Sequence, residues 1–202
     1  MELFPEIGRH YGRGASLEEI TDRGMNGELG FEESLLRRVG MVRGLPIEPI
    51  RKLCLRLPVN RGAEDAVSEL KDLGCTPAIV SGGFDILADR VALQLGIDIV
   101  YSNKFVLEGG RIVDVQRPIV TPEFKADVFI SLSKGLGLDP AGCVSVGDGA
   151  NDIPMMEAAG LSVAFNAKDC VREKAKVVVE SGPLRDIMPH VKRFKASWTR
   201  IR

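Results

Sequence analysis

Two carboxylates four residues apart, Asp148 and Asp152 in "VSVGDGANDIPMM", with glycines around the first, have the types and spacing of a cation site. An apolar run ends at Gly147 and a helical pattern opens near Asp152, so the pair spans a strand end and the first turn of the next helix. That placement lets both carboxylates point at one ion. Hard oxygen ligands in this small number suit Mg2+, which keeps several waters and takes one or two carboxylates plus a substrate phosphate. The plainer alternative is a loop aspartate followed by a helix N-cap. Upstream, "IVSGGF" places Ser81 beside consecutive amides at Gly82 and Gly83, a small concavity of donors suited to a phosphoryl oxygen. Alone, "SGG" is also an ordinary strand-to-helix turn. Lys125, near the start of a predicted helix, can bring a compact positive charge to a transferring phosphoryl group.

These groups need elements to hold them. Residues 1 to about 60 read as helical: "LEEITDRGMNGELGFEESLLRRVGMVRGL" repeats its apolar positions at three and four residues, is broken by "NGELG" and stops at "GLP". From Asn60 the pattern changes. "GAEDAVSELKDLG" is an amphipathic helix with a glycine at its end, "CTPAIVSGG" a short apolar strand closing on small residues, and "FDILADRVALQLG" a helix. "IDIVYSNKFVLEGGRIVDVQRP" reads as a short strand and then a hairpin turning at Gly109-Gly110. Helix "PEFKADVFISLSKGLG", strand "CVSVGD", helix "DIPMMEAAG", strand "LSVAFNA" and helix "DCVREKA" follow. Strands alternating with helices imply βαβ units and a parallel sheet covered on both faces. In such sheets ligands bind outside the carboxyl ends of the strands, where "SGG" and "GDGAND" both fall.

Composition limits the field. The 202 residues are 45% hydrophobic and 27% charged with a formal net charge of −1, so bulk electrostatics favour neither nucleic acid nor a membrane surface. Four cysteines (Cys54, Cys75, Cys143, Cys170) are scattered without a CxxC pair, which suggests neither a zinc site nor a disulfide framework and points to a reducing, cytoplasmic setting. No apolar run approaches the ~20 residues of a membrane span. The basic C-terminal "KRFKASWTRIR", with the only tryptophan, reads as a solvated tail.

Taken together and in this order, "IVSGG", Lys125 and "GDGAND" resemble the second, third and fourth motifs of the haloacid dehalogenase superfamily. "MNGELGFEESLLRRV", "VSGGFD" and "VGDGANDIPMMEAAG" are similar more specifically to its phosphoserine phosphatase family, from Glu2 to about Val191. The resemblance implies a doubly wound, Rossmann-like α/β core at residues 61–202, with a β-hairpin near 104–116, and a small helical cap at residues 1–60. It implies Mg2+-dependent hydrolysis of O-phospho-L-serine to L-serine and phosphate, the last step of serine biosynthesis, through an aspartyl-phosphate. By position, Asp148 becomes the direct metal ligand, with Asn151 and Asp152 completing the shell or orienting water. Ser81 and Gly82 grip phosphoryl oxygens, and Lys125 screens charge. In the cap, Arg38 holds the substrate carboxylate in a bidentate fork and Glu2 recognises the substrate. Met25 and Phe31 match apolar residues that seal the site or simply fill the cap core. Expected partners are a small phosphomonoester and at most a second copy in a homodimer, with no nucleic acid and no membrane.

One departure is large. The family's first motif, an apolar strand ending in DxDxT, belongs upstream of Glu2, where this sequence has Met1, and the 202 residues contain no Asp-x-Asp pair. Asp85, Asp98 and Asp114 are poor stand-ins. The nucleophile, the general acid-base and the central strand of the family sheet are therefore expected to be missing. Either the chain starts at an internal methionine of a longer frame whose product is an ordinary phosphatase, or it is a non-catalytic module that binds phosphoserine or a partner. Other small phosphomonoesters are the alternative substrates.

Overall fold

The computed structural model describes residues 3–12 and 14–199; Glu2 lies outside them. In chain order the elements are helices α1 (Leu3–His10), α2 (Gly14–Met25), α3 (Phe31–Val42), α4 (Ile47–Arg56) and α5 (Ala63–Asp72), then strand β1 (Ala78–Phe84), α6 (Asp85–Leu95), β2 (Ile99–Asn103), β3 (Phe105–Glu108) and β4 (Arg111–Val115). There follow α7 (Pro122–Gly135), β5 (Val144–Gly147), α8 (Ile153–Ala158), β6 (Leu161–Phe165), α9 (Asp169–Arg172), β7 (Val177–Val179) and α10 (Met188–Thr199). By contacts they form two compact units, Met1–Val59 with Ala78–Thr121, and Asn60–Pro77 with Pro122–Arg202.

In the first unit the helices bury one stripe each. Leu35, Val39 and Val42 of α3 recur every three or four residues and are fully or almost fully buried, as are Ile47, Ile50 and Cys54 of α4. Their common core takes in Ile112 and Val115 of the hairpin and Phe84 at the end of β1. Phe84 stacks on Phe105 with centroids 3.6 Å apart, and Phe4 meets both rings edge-on. The hairpin turns where φ is +54° at Gly109 and +74° at Gly110, the paired left-handed positions that a two-residue turn needs and glycine supplies without strain. Residues 44–47 add a short antiparallel piece to β4: the Gly44 amide donates to Ile112 O (2.7 Å), Ile112 to Leu45 O (3.0 Å) and Ile47 to Gly110 O (2.9 Å). Strands β1 and β2 pair in parallel across α6 as a βαβ unit. Among the described residues β2 is the only strand neighbour of β1.

The second unit is a parallel three-stranded sheet in the order β5-β6-β7. Every residue of the middle strand, β6, is buried, as expected where helices cover both faces. One face packs against Ala66 of α5 and Met188 and Val191 of α10, the other against Met156 of α8 and Val171 of α9. Among the described residues β5 has β6 as its only strand neighbour. Strand β7 was not anticipated from sequence, because three valines between charged residues give too short a signal. The described part of the C-terminal segment belongs to α10 and is mostly exposed, as a solvated segment would be, with some contacts of its own: Lys192 pairs with Glu69, Lys195 donates to the Leu73 carbonyl, and a Cβ on Gly142 would sit 2.7 Å from the Trp198 indole. No helix among the described residues is long and apolar enough to cross a membrane.

Candidate active site

In the second unit the turn after β5 is built around one buried acid. Asp152, 5% exposed, takes Lys125 Nζ of α7 on Oδ1. Its Oδ2 accepts the Asp148 amide at 2.9 Å and the Gly149 amide at 3.2 Å. Its own amide donates back to Gly149 O at 2.9 Å. Gly147 lies so close that a Cβ there would come within 2.5 Å of Asp152 Cβ. Lys125 is 4% exposed. A buried charge pair persists only when its remaining hydrogen-bonding capacity is met, and here both carboxylate oxygens have partners. The consequence is a fixed turn with the Lys125 ammonium anchored beside it.

Asp148 sits at the tip of β5, and its carbonyl accepts the Lys168 amide at 2.9 Å. Loss of hydration around the carboxyl raises its pKa above the ordinary value; the negative Asp152 adds to this, and the Lys125 ammonium opposes it. Two acids beside one lysine thus leave negative charge that a cation would neutralise. No group of three or more His, Cys, Asp or Glu placed to hold a metal ion occurs among the described residues. The donors at this turn are oxygens in small number, which fits Mg2+ with its retained waters better than a nitrogen- and sulfur-bound metal. Asn151 is half-buried in the same turn.

In the first unit, "SGG" lies in the closing part of β1, as the strand reading of "CTPAIVSGG" expects. Val80 pairs with Tyr101 and Phe84 with Asn103, so Ser81, Gly82 and Gly83 stand opposite Ser102 alone, an irregularity of the bulge type. The Gly83 amide donates to Ser81 Oγ at 3.0 Å. That oxygen is therefore an acceptor toward its own chain, and its O–H proton is directed elsewhere. Asn103, 2% exposed at the end of β2, donates from Nδ2 to the Gly82 carbonyl (2.9 Å) and accepts the Val120 amide on Oδ1 (2.9 Å). Sequence reasoning passed over Asn103, since an asparagine ahead of a hairpin reads as turn chemistry.

Arg38 is not on a solvated face. It is 8% exposed, its Nε donates to Ser34 O at 3.2 Å, and its guanidinium carbon lies 5.0 Å from the centre of the Phe4 ring. Met25 and Phe31 are half-buried at facing ends of α2 and α3, and Phe31 packs on the unit's core.

Comparison with known proteins places this geometry. The sequence pattern of the haloacid dehalogenase-like hydrolases matches residues 2–160, and the chain belongs to that family. It is 38% identical over 192 residues to a phosphoserine phosphatase from Methanocaldococcus jannaschii, covering 95% of this chain and 91% of that one. Among solved structures it is similar to a phosphoserine phosphatase in a phospho-aspartyl intermediate analogue (TM-score 0.91, 37% identity, 94% of this chain and 91% of that chain). It is equally similar to a substrate-bound phosphoserine phosphatase complex (TM-score 0.90, 37% identity, with the same coverage). The fold is accordingly the mixed α/β, Rossmann-like fold of the family.

Proposed function

We propose that the chain carries the binding and electrostatic machinery of a Mg2+-dependent phosphatase that converts O-phospho-L-serine to L-serine and phosphate. The observation that carries this reading is the buried Lys125–Asp152 pair locked to the Asp148–Gly149 turn. It is supported by the relatives, which are phosphoserine phosphatases, one of them solved with substrate bound.

In this reading residues 1–60 serve as cap and 61–202 as core. Asp148 holds the metal directly, while Asp152 and Asn151 fix the surrounding turn and its water. Mg2+, when bound, supplies Lewis-acid stabilisation of charge developing on the phosphoryl oxygens. Lys125, held by Asp152, screens the negative charge of the phosphate. Ser81 donates its free O–H and Gly82 its amide to phosphoryl oxygens. Arg38 offers two parallel donors to the substrate carboxylate, and Glu2 contributes to substrate recognition.

These 202 residues include no Asp-x-Asp pair, so a polypeptide limited to them binds without turning over. Loss of a nucleophile that acts as part of a catalytic set removes several orders of magnitude in rate. Among the described residues β1 and β5 each have a strand neighbour on one side only, and unpaired backbone N–H and C=O groups of apolar strands call for partners, which supports the reading that a further strand is needed.

The test compares two polypeptides, the 202 residues and the same chain with an N-terminal extension coding for an apolar strand ending in Asp-x-Asp-x-Thr. Phosphate release is followed with Mg2+ on O-phospho-L-serine and on other small phosphomonoesters. Release by the extended form alone, preferring phosphoserine and stopped by chelation, is expected. Equal rates on all esters would overturn the substrate assignment, and turnover by the 202 residues alone would overturn the claim about the nucleophile.

A further inference from the structure

We infer that Asn103 is a positioning residue for the phosphoryl-binding Ser81, acting through the peptide plane between Gly82 and Gly83; this rests on the role of Ser81 proposed above. The Gly82 carbonyl and the Gly83 amide belong to one planar trans unit, so fixing one fixes the other in the opposite direction. Asn103 Nδ2 grips the carbonyl at 2.9 Å, and on the other side of the same plane the Gly83 N–H reaches Ser81 Oγ at 3.0 Å. Between two glycines no side chain hinders rotation of that plane. Three residues opposite Ser102 alone leave this part of β1 without a regular ladder to hold it. What selects its orientation is the amide of Asn103.

The asparagine is itself fixed. It is 2% exposed, and its Oδ1 accepts the Val120 amide at 2.9 Å, which determines which end of the side chain faces Gly82. Val120 lies two residues before Pro122, the first residue of α7, and five before Lys125. One buried side chain thus sets the peptide that orients the Ser81 hydroxyl and also holds the Val120 amide of the same unit. With Oγ occupied by Gly83 N–H, the Ser81 proton is the group left to donate, which is the form a phosphoryl oxygen requires.

The substitution that isolates the effect is Asn103→Asp. It keeps the acceptor for Val120 and replaces the donor facing Gly82 with an oxygen, which repels the carbonyl and favours turning the plane over. Binding of inorganic phosphate and of Mg2+ is measured by calorimetry on the 202-residue chain, on Asn103→Asp, on Ser81→Ala and on the double variant, with melting temperatures alongside. The expected result is at least tenfold weaker phosphate binding in Asn103→Asp, unchanged Mg2+ binding, and little further loss when Asn103→Asp is added to Ser81→Ala. Residues that act through one another give such non-additive effects. Additive losses, or a lowered melting temperature with phosphate affinity intact, would overturn the inference. Failure of the unsubstituted chain to bind phosphate at all would instead bring down the proposed role of Ser81, and the inference with it.

Discussion

Ser145 and Ser162 sit opposite each other on β5 and β6, equally buried at 3% and 2%, yet their hydroxyls meet different fates. Ser162 Oγ accepts the Lys176 amide at 3.0 Å, whereas Ser145 Oγ has no hydrogen-bond partner. Because an unmet buried hydroxyl costs about 1–3 kcal/mol, Ser145→Ala is expected to stabilise the protein by about 1 kcal/mol in urea unfolding. Ser162→Ala should cost a similar amount by stranding the Lys176 N–H. Lys125→Met leaves Asp152 charged and buried, with a loss of about 3 kcal/mol or more; Lys125→Met with Asp152→Asn recovers a large part of it in the same assay. Cys54 supplies a pH effect. Burial pushes its thiol up to about 11 from an ordinary value of 9.0, with Arg90 pulling the other way. The folded state therefore keeps its proton after the unfolded state has lost its own, and stability falls as pH rises from 9.0 toward 11. Stability measured across that window should decline less in Cys54→Ala than in the unsubstituted chain.

The strand-to-helix connection after β5 works as a unit because both carboxylate oxygens of Asp152 are committed. Asp152 binds two backbone amides and Lys125 while Gly147 packs flat against its Cβ, so the turn has no slack. Gly147→Ala tests this. Its methyl would meet Asp152 at 2.5 Å, and the acid cannot yield without giving up its partners. Displacing groups that orient a metal ligand costs about 10–100-fold in metal affinity, so Mg2+ binding by calorimetry should fall within that range. An affinity equal to that of the unsubstituted chain would mean that Asp148 does not depend on the turn. The end of β1 uses the opposite device, a run of small residues in an irregular stretch, and needs Asn103 from the neighbouring strand to give it one shape.

For the assembled chain the decisive quantity is what an added strand does. If the sides of β1 or β5 without a strand neighbour among the described residues take up an extended segment, the polypeptide with the N-terminal extension should melt higher than the 202 residues as well as gaining turnover, since paired backbone and newly covered apolar surface both favour the folded state. Turnover without a rise in melting temperature would show that the extension supplies chemistry but no sheet. In α10 an exposed basic face is combined with specific contacts: Lys192 pairs with Glu69 and Lys195 donates to the Leu73 carbonyl, while Val191 is buried against the sheet.

Much of this protein was written in local patterns. The alternation of strands and helices, the hairpin at Gly109-Gly110, the amphipathic helices of the first sixty residues and the grouping of Asp148 with Asp152 follow from periodicity, backbone preference and spacing, all of which act over a few residues. What the sequence could not contain was the outcome of packing between distant segments. That Asp152 spends both oxygens on Lys125 and two amides, that Arg38 lies over Phe4, and that Asn103 grips Gly82 from 21 residues away depends on which buried polar groups find one another. Burial makes an unpaired donor or acceptor expensive, so only the closed tertiary structure decides the pairings.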